Sequence, residues 1–440
     1  MKRWLTLLSF FLLIHTPAVC FAGPKEDYEE AYKIYIAAGA SVAAYSGRIG
    51  ELATRYLEQD GWQIDHYVQP EGHSGARFLI AKKEGSPYYL LAIVGTENTS
   101  DIKADINIDK VYFAGSNMTE FAANANKKNI PDTQPKVHKG FNEFLQAGPS
   151  AILQNSQHTE LSLPAVLSAD KNHKLFLTGH SLGGAAATLA GARLISSGIN
   201  PNQIEVITFG APAVGNTAFA NKFKSSLCLT RVVNSGDLVT GVLQTLVSDY
   251  RQFGREIIWH PTDNVSDSHK LIGYVDSAIK NYYDKRRLAI EAGEKLSVPS
   301  PVQQASADRV YIVPLQNNLP GELSADFWYM NEALQDEYQQ TIPNYISSDP
   351  LTTSATWRQS AAAAGCRWAV ISSVTATRLK QESKTYYITL SLTVYDVSAD
   401  AVNATATFST TTAKLTPLEA FIHTFMGIKM HLTERFKTAH

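Results

Sequence analysis

The run Lys174-Leu175-Phe176-Leu177-Thr178-Gly179-His180-Ser181-Leu182-Gly183-Gly184-Ala185-Ala186-Ala187 constrains the fold more than any other stretch of the chain. It reads as a short apolar strand, one sharp turn spelling G-x-S-x-G, and a helix of small residues. A serine at such a corner sits in strained backbone with its hydroxyl pushed out above the sheet. Gly179 and Gly183 leave room for backbones to approach closely. The helix start behind Ser181 directs free N–H groups and the positive end of its dipole toward any anion formed there. The apolar strand before and the alanine-rich helix after meet the context that the motif requires. Ser181 is therefore read as a nucleophile and not as a chance match.

Around this corner the pattern alternates. A helical stripe runs through Tyr28, Ala31, Tyr32, Tyr35 and Ile36 at spacings of three and four. Strand-like runs follow at Trp62–Val68, Ala76–Lys82 and Tyr88–Val94, with turn residues between them. Residues from about Val111 to Pro135 are polar, Asn-rich and weakly periodic, and read as a loop or flap. Beyond the Ser181 helix come strands at Ile204–Phe209 and Leu229–Asn234. Residues Gly241 to Asp267 read mostly as loop, with a short strand at Glu256–Trp259. Strand–helix–strand alternation implies parallel strands with crossover helices. In open α/β sheets the site forms at the carboxyl ends of the strands, where Ser181 and Asp237 both fall.

A serine hydroxyl needs a general base, and the base needs an orienting acid. Chain order after a G-x-S-x-G corner is serine, acid, histidine. After Asp237 the histidines before the Pro-rich stretch are His260 and His269. His269 stands at a loop-to-helix junction over the strand ends, and it is favoured over His260. His138 and His180 break the chain order and are read as structural. Asp237 is preferred to Asp249, Asp263 and Asp267 because it ends a strand. The loop Gly95-Thr96 is open to two readings, a second donor to an oxyanion or a capped turn into a helix.

The first residues, Met1-Lys2-Arg3, an apolar run Trp4–Ile14 and a small-residue end at Ala22, form a secretory signal pattern over residues 1–22, too short to span a membrane. Acylation at Cys20 ranks second, because Pro17 and Val19 suit it poorly. Secretion or a periplasmic address is the expectation. With a formal net charge of −2 the chain lacks the basic surface of a nucleic-acid binder. Cys228 and Cys366 fall in different candidate domains and are expected to be unpaired and buried. Domains are expected at 23–298 and 309–440, joined by a linker at 299–308 marked by Pro299, Pro301 and Gln303-Gln304. The second domain reads as α+β, with strands at Arg309–Leu315, Arg367–Ala376, Lys384–Val397 and Val402–Thr412. Its helices fall at Ala325–Gln340, Thr352–Ala364 and Pro417–Phe436. It holds no catalytic constellation.

Taken together, these pieces resemble the class 3 lipases, the fungal-lipase-like branch of the α/β-hydrolases. The matching residues are Gly95-Thr96, Asp101 with Asp105, Val137-His138-Lys139-Gly140-Phe141, the Ser181 corner, Thr208 to Asn216, Arg231 to Asp237, and Tyr250 to Trp259. The resemblance runs from about Ala31 to Ala278. It implies an α/β fold with a mostly parallel sheet and flanking helices, to which the smaller C-terminal α+β domain is added. It implies Ser181 as nucleophile, Asp237 as orienting acid and His269 as base, and an oxyanion hole from the backbone N–H groups of Thr96 and Leu182. It further implies hydrolysis of carboxylic esters such as lipids, without metal or cofactor, and a flap after Thr96. Departures from the family pattern fall at Ile93-Val94, at Ile102 and at Gln252, which concern the flap and pocket wall and so the choice of substrate. The expected partners are an ester substrate and a transient membrane or lipid-droplet surface, with an unknown protein or envelope partner for the C-terminal domain. That domain is similar in element pattern to periplasmic modules of the TolB amino-terminal kind. The alternatives to a neutral lipase or esterase are a phospholipase A1 acting on membranes, or an envelope-binding protein dominated by its C-terminal module.

Overall fold

The structure, a computed structural model, describes residues 23–45, 50, 53–58, 60–67, 78–95, 109–145, 152–154, 160–246, 249–261, 268–296, 308–348, 356–380 and 384–436. The signal pattern with Cys20, the residues Thr96, Asp101, Ile102 and Asp105, the acids Asp263 and Asp267, and the linker up to residue 307 lie outside the described residues.

Helix α1 (Pro24–Ala43) is followed by three antiparallel strands, β1 (Trp62–Tyr67), β2 (Phe78–Lys83) and β3 (Tyr88–Ile93). Strand β4 (Lys174–His180) then joins β3 in parallel and leads into α2 (Leu182–Ser196). Strands β5 (Ile204–Phe209) and β6 (Cys228–Asn234) extend the sheet in parallel. Helix α3 (Val239–Leu246) precedes the edge strand β7 (Arg255–Trp259), and α4 (Leu271–Glu291) closes the region. The seven strands lie side by side in chain order. This is the α/β-hydrolase architecture, with the carboxyl ends of β3 to β7 on one rim.

Helices cover both faces of this sheet, so its central strands are nearly continuous apolar runs. In β3 every residue from Tyr89 to Ile93 is buried. The side chains still alternate between faces. Phe78, Ile80, Leu91, Leu175 and Val206 pack with the alanines of α2, whereas Leu79, Leu90, Ile207 and Val232 pack with α1 and α4.

The C-terminal region forms a second sheet. Its members are β8 (Val310–Ile312), β9 (Gln316–Asn318), β10 (Tyr345–Ser347), β11 (Trp368–Arg378), β12 (Tyr386–Asp396) and β13 (Ala401–Thr411), in the order β10-β8-β11-β12-β13 with β9 beside β11. Helices α5 (Phe327–Thr341), α6 (Pro417–His423) and α7 (Phe425–Phe436) pack with it, as does a shorter helix at Trp357–Ala363. Its core does not stop at the boundary. Met330, Leu334, Tyr338, Phe421 and Phe425 belong to the same apolar cluster as Ile279, Tyr282 and Tyr283 of α4.

Several expectations change. Within the Asn-rich stretch the structure places a helix at Met118–Ala125. The side chain of Asn117 caps it by accepting the Glu120 N–H, and Phe121 is buried 4.9 Å from Phe113. Residues 239–246 form a helix and not a loop. The final helix breaks at Thr424, whose hydroxyl donates to the Phe421 carbonyl at 2.7 Å. Cys366 is buried as expected, but Cys228 is exposed, because it begins β6 at the end of the strand far from the crowded rim.

Candidate active site

The turn between β4 and α2 forces Ser181 to φ 56°, ψ −124°, a backbone state that costs about 1–3 kcal/mol and persists only when its surroundings fix it. Two close approaches fix it. A Cβ on Gly183 would stand 2.1 Å from the Ile93 carbonyl oxygen, and one on Gly179 would stand 2.4 Å from the Gly183 carbonyl carbon. The ends of β3 and β4 and the start of α2 therefore meet backbone to backbone. The Ser181 N–H donates to the Phe209 carbonyl at 2.9 Å, which ties the corner to β5 as well.

Ser181, Asp237 and His269 converge on the rim, and all three are buried. His269 Nδ1 lies 2.8 Å from Asp237 Oδ2 and 3.0 Å from Oδ1. A carboxylate only accepts, so this contact assigns the Nδ1 proton to the bond with Asp237. Nε2 is then left to accept from the Ser181 hydroxyl, 3.0 Å away. The three side chains thus form one hydrogen-bonded chain from hydroxyl to carboxylate. Such a chain can take a proton from the serine as it attacks an electrophilic carbon, and can hold the resulting imidazolium.

Asp237 is gripped from two other sides. Its Oδ1 accepts the Val239 N–H at 2.9 Å, and its Oδ2 accepts the Tyr274 hydroxyl at 2.6 Å. The same hydroxyl accepts the Asn234 N–H at 3.0 Å. Burial, with the Asp237 charge beside it, raises the Tyr274 phenol well above its usual range and keeps it a donor. The backbone of His269 is held too, because His180 Nε2 donates to its carbonyl at 2.6 Å. Burial, helped by neighbouring His269, pushes His180 down to about 3, so it stays neutral. Gln252, at one departure from the family pattern, donates to the carbonyls of Ala211 and Thr240, each at 3.2 Å, and joins two rim loops.

The other sequence candidates lie apart. His260 is exposed after β7. His138 caps the helix Lys139–Phe144 and stacks on Phe141 at 4.0 Å. Asp249 pairs with Lys110 at 2.7 Å. Leu182 opens α2, where a first-turn N–H has no partner within the helix. Thr96 lies outside the described residues. Its neighbour Gly95 stands against the corner, where an added Cβ would be 2.6 Å from the His180 carbonyl oxygen. Sequence reasoning missed Tyr274, since nothing local ties it to Asp237. Among the described residues no three His, Cys, Asp or Glu side chains gather as a metal site requires.

Residues 90–246 match the family model described as lipase (class 3). Through these residues, somewhat over a third of the chain, it is similar to the class 3 lipases. A lipase of Rhizopus niveus is 27% identical over 243 residues, which covers 51% of this chain and 56% of that protein. Phospholipase A1-II 3 of Oryza sativa subsp. indica is 30% identical over 141 residues, covering 29% of this chain and 33% of the rice protein. The chain thus spans about half or less of the length of these curated relatives. Among solved structures, the lipase from Rhizopus microsporus var. chinensis aligns at 22% identity with a TM-score of 0.41, over 52% of this chain and 74% of that one.

Proposed function

We propose that this protein is a serine hydrolase of carboxylic esters, with lipid esters as its substrates. The observation that carries the reading is the hydrogen-bonded chain from Ser181 through His269 to Asp237. Ser181 attacks the ester carbonyl while His269 takes its proton. The backbone N–H groups of Leu182 and Thr96 receive the oxyanion. His269 then returns the proton to the departing alcohol, and water attacks the acyl-enzyme by the reverse path. The composition of residues 1–22 supports action outside the cytoplasm, secreted or periplasmic.

A phospholipase A1 activity is the second reading, favoured by the 30% identity with the rice phospholipase. The test is hydrolysis of p-nitrophenyl esters, triacylglycerol emulsion and glycerophospholipid vesicles by wild type and Ser181→Ala. The expected outcome is turnover that falls by on the order of a thousandfold or more in the variant. Preference for emulsion supports the lipase reading, and release of the sn-1 acyl chain from vesicles supports the second. Equal rates for wild type and variant would overturn both.

A further inference from the structure

Helix α4 has two jobs on two faces. Its first turn follows His269 directly and carries Tyr274, which holds Asp237. Further along, the helix is gripped by the C-terminal region through buried polar groups. Asp276 accepts the Thr416 hydroxyl at 2.7 Å. Lys280 reaches Asp276 on its own helix and Asp326 of the C-terminal region, both at 2.8 Å. The flanking charges hold this lysine protonated despite burial. Arg286 places one nitrogen on both oxygens of Asp336, at 2.7 and 2.8 Å, and the other on Glu332 at 2.9 Å. Tyr283 also donates to Asp336 at 3.0 Å.

Apolar contact alone lets a helix slide or rotate by small steps, because it is non-directional. Buried ionic and hydrogen-bonded pairs add little net stability, but their best-attested use is to fix register. Here they sit on three successive stretches of one helix, and each is met by a residue from the C-terminal region.

We infer that the C-terminal region is a clamp on α4, which sets the register of that helix and through it the placement of Tyr274 and His269 against Asp237. Asp276, Lys280, Arg286 and Thr416 are positioning residues, because none of them touches the reacting atoms. The inference rests on the serine-hydrolase reading for its effect on turnover, but not for its effect on the helix.

The test uses full-length Thr416→Val, which removes the hydroxyl on Asp276, and Thr416→Ser, which keeps it. Ile388→Val, a buried apolar cut in β12 that leaves every polar pair on α4 in place, serves as a control for stability loss within the same core. Two quantities are read, turnover of a soluble short-chain ester and amide hydrogen exchange over Leu271–Val275. The expected result for Thr416→Val is a kcat lower by about tenfold, as for a small misplacement of a catalytic group. KM stays within about twofold. Exchange in the first turns of α4 speeds up, Thr416→Ser restores both readouts, and Ile388→Val changes neither. If Thr416→Val leaves exchange over Leu271–Val275 unchanged, or if Ile388→Val lowers kcat as much, the clamp is overturned. Should wild type hydrolyse no ester, the exchange readout still decides the clamp, and the functional reading fails separately.

Discussion

The nucleophile and its partners are held by opposite means. Ser181 stands where three backbones meet with no side chain between them, over a face of the sheet packed with the alanines of α2. His269 and Asp237 stand on the other side of the rim. There a tyrosine, a neutral histidine and the backbone N–H of Val239 hold them by directed hydrogen bonds. Steric confinement tolerates no added atom but is indifferent to pH. A polar network tolerates conservative change but depends on which groups carry protons.

The contrast sharpens into four expectations. The largest effect belongs to the confined side. Gly183→Ala puts a carbon into the Ile93 carbonyl, with backbone on both sides and nothing flexible to give way. Denaturant unfolding should register a loss of about 3 kcal/mol or more, or no soluble protein at all. A variant as stable as wild type would break the comparison.

Acid comes next, and it acts through buried histidines. Burial lowers His180 to about 3 and His423 to about 4. Their folded values lie below the unfolded value of about 6.5. The stability they support is therefore present above that value and is lost as pH falls toward their folded values. Between pH 7 and 5 each should subtract about 2 kcal/mol. Glu419 works the other way, since burial beside Asp276 raises its carboxyl well above the usual range, so its contribution grows as pH falls. Urea midpoints at the two pH values in His423→Asn and Glu419→Gln would separate the two: the first should flatten the acid loss, the second should steepen it.

Tyr274→Phe removes one of the two outer supports of Asp237 without leaving a cavity. A lost hydrogen bond to a charged group corresponds to about 1.5–3 kcal/mol, so kcat/KM should drop by roughly ten- to a hundredfold. Steady-state kinetics on a soluble ester checks this, and an unchanged rate would mean that Val239 alone suffices. The smallest effect belongs to the surface. Lys33 pairs with Glu205 at 3.0 Å while half in water, and Lys33→Ala should change stability by about 0.5 kcal/mol or less.

The sheet was legible because its strands are short apolar runs with turn residues between them, and the corner at Ser181 because glycine spacing states its geometry locally. Helix α3 escaped because it is short, follows a strand end closely and carries Gly241 with Val239, Thr240, Val242 and Thr245, all weak helix formers, although Val239 and Leu243 share one buried face. The helix Met118–Ala125 was hidden by asparagines, although Asn117 with Glu120 three residues later is a cap signal. The grip on Asp237 and the grip on α4 were not legible for one shared reason. Tyr274 meets a carboxylate 37 positions away and Arg286 one 50 positions away, and a tyrosine or an arginine on a helix looks the same in sequence whether it meets a partner or water.

The most direct measurement is covalent. An alkyl phosphonate fluoride probe, applied to the native full-length protein and to Ser181→Ala, reports by mass spectrometry which hydroxyl is activated. The expected result is one adduct, on Ser181, formed in wild type, slowed in His269→Asn and absent from Ser181→Ala. An adduct that survives Ser181→Ala, or a wild type that never reacts, would contradict the account.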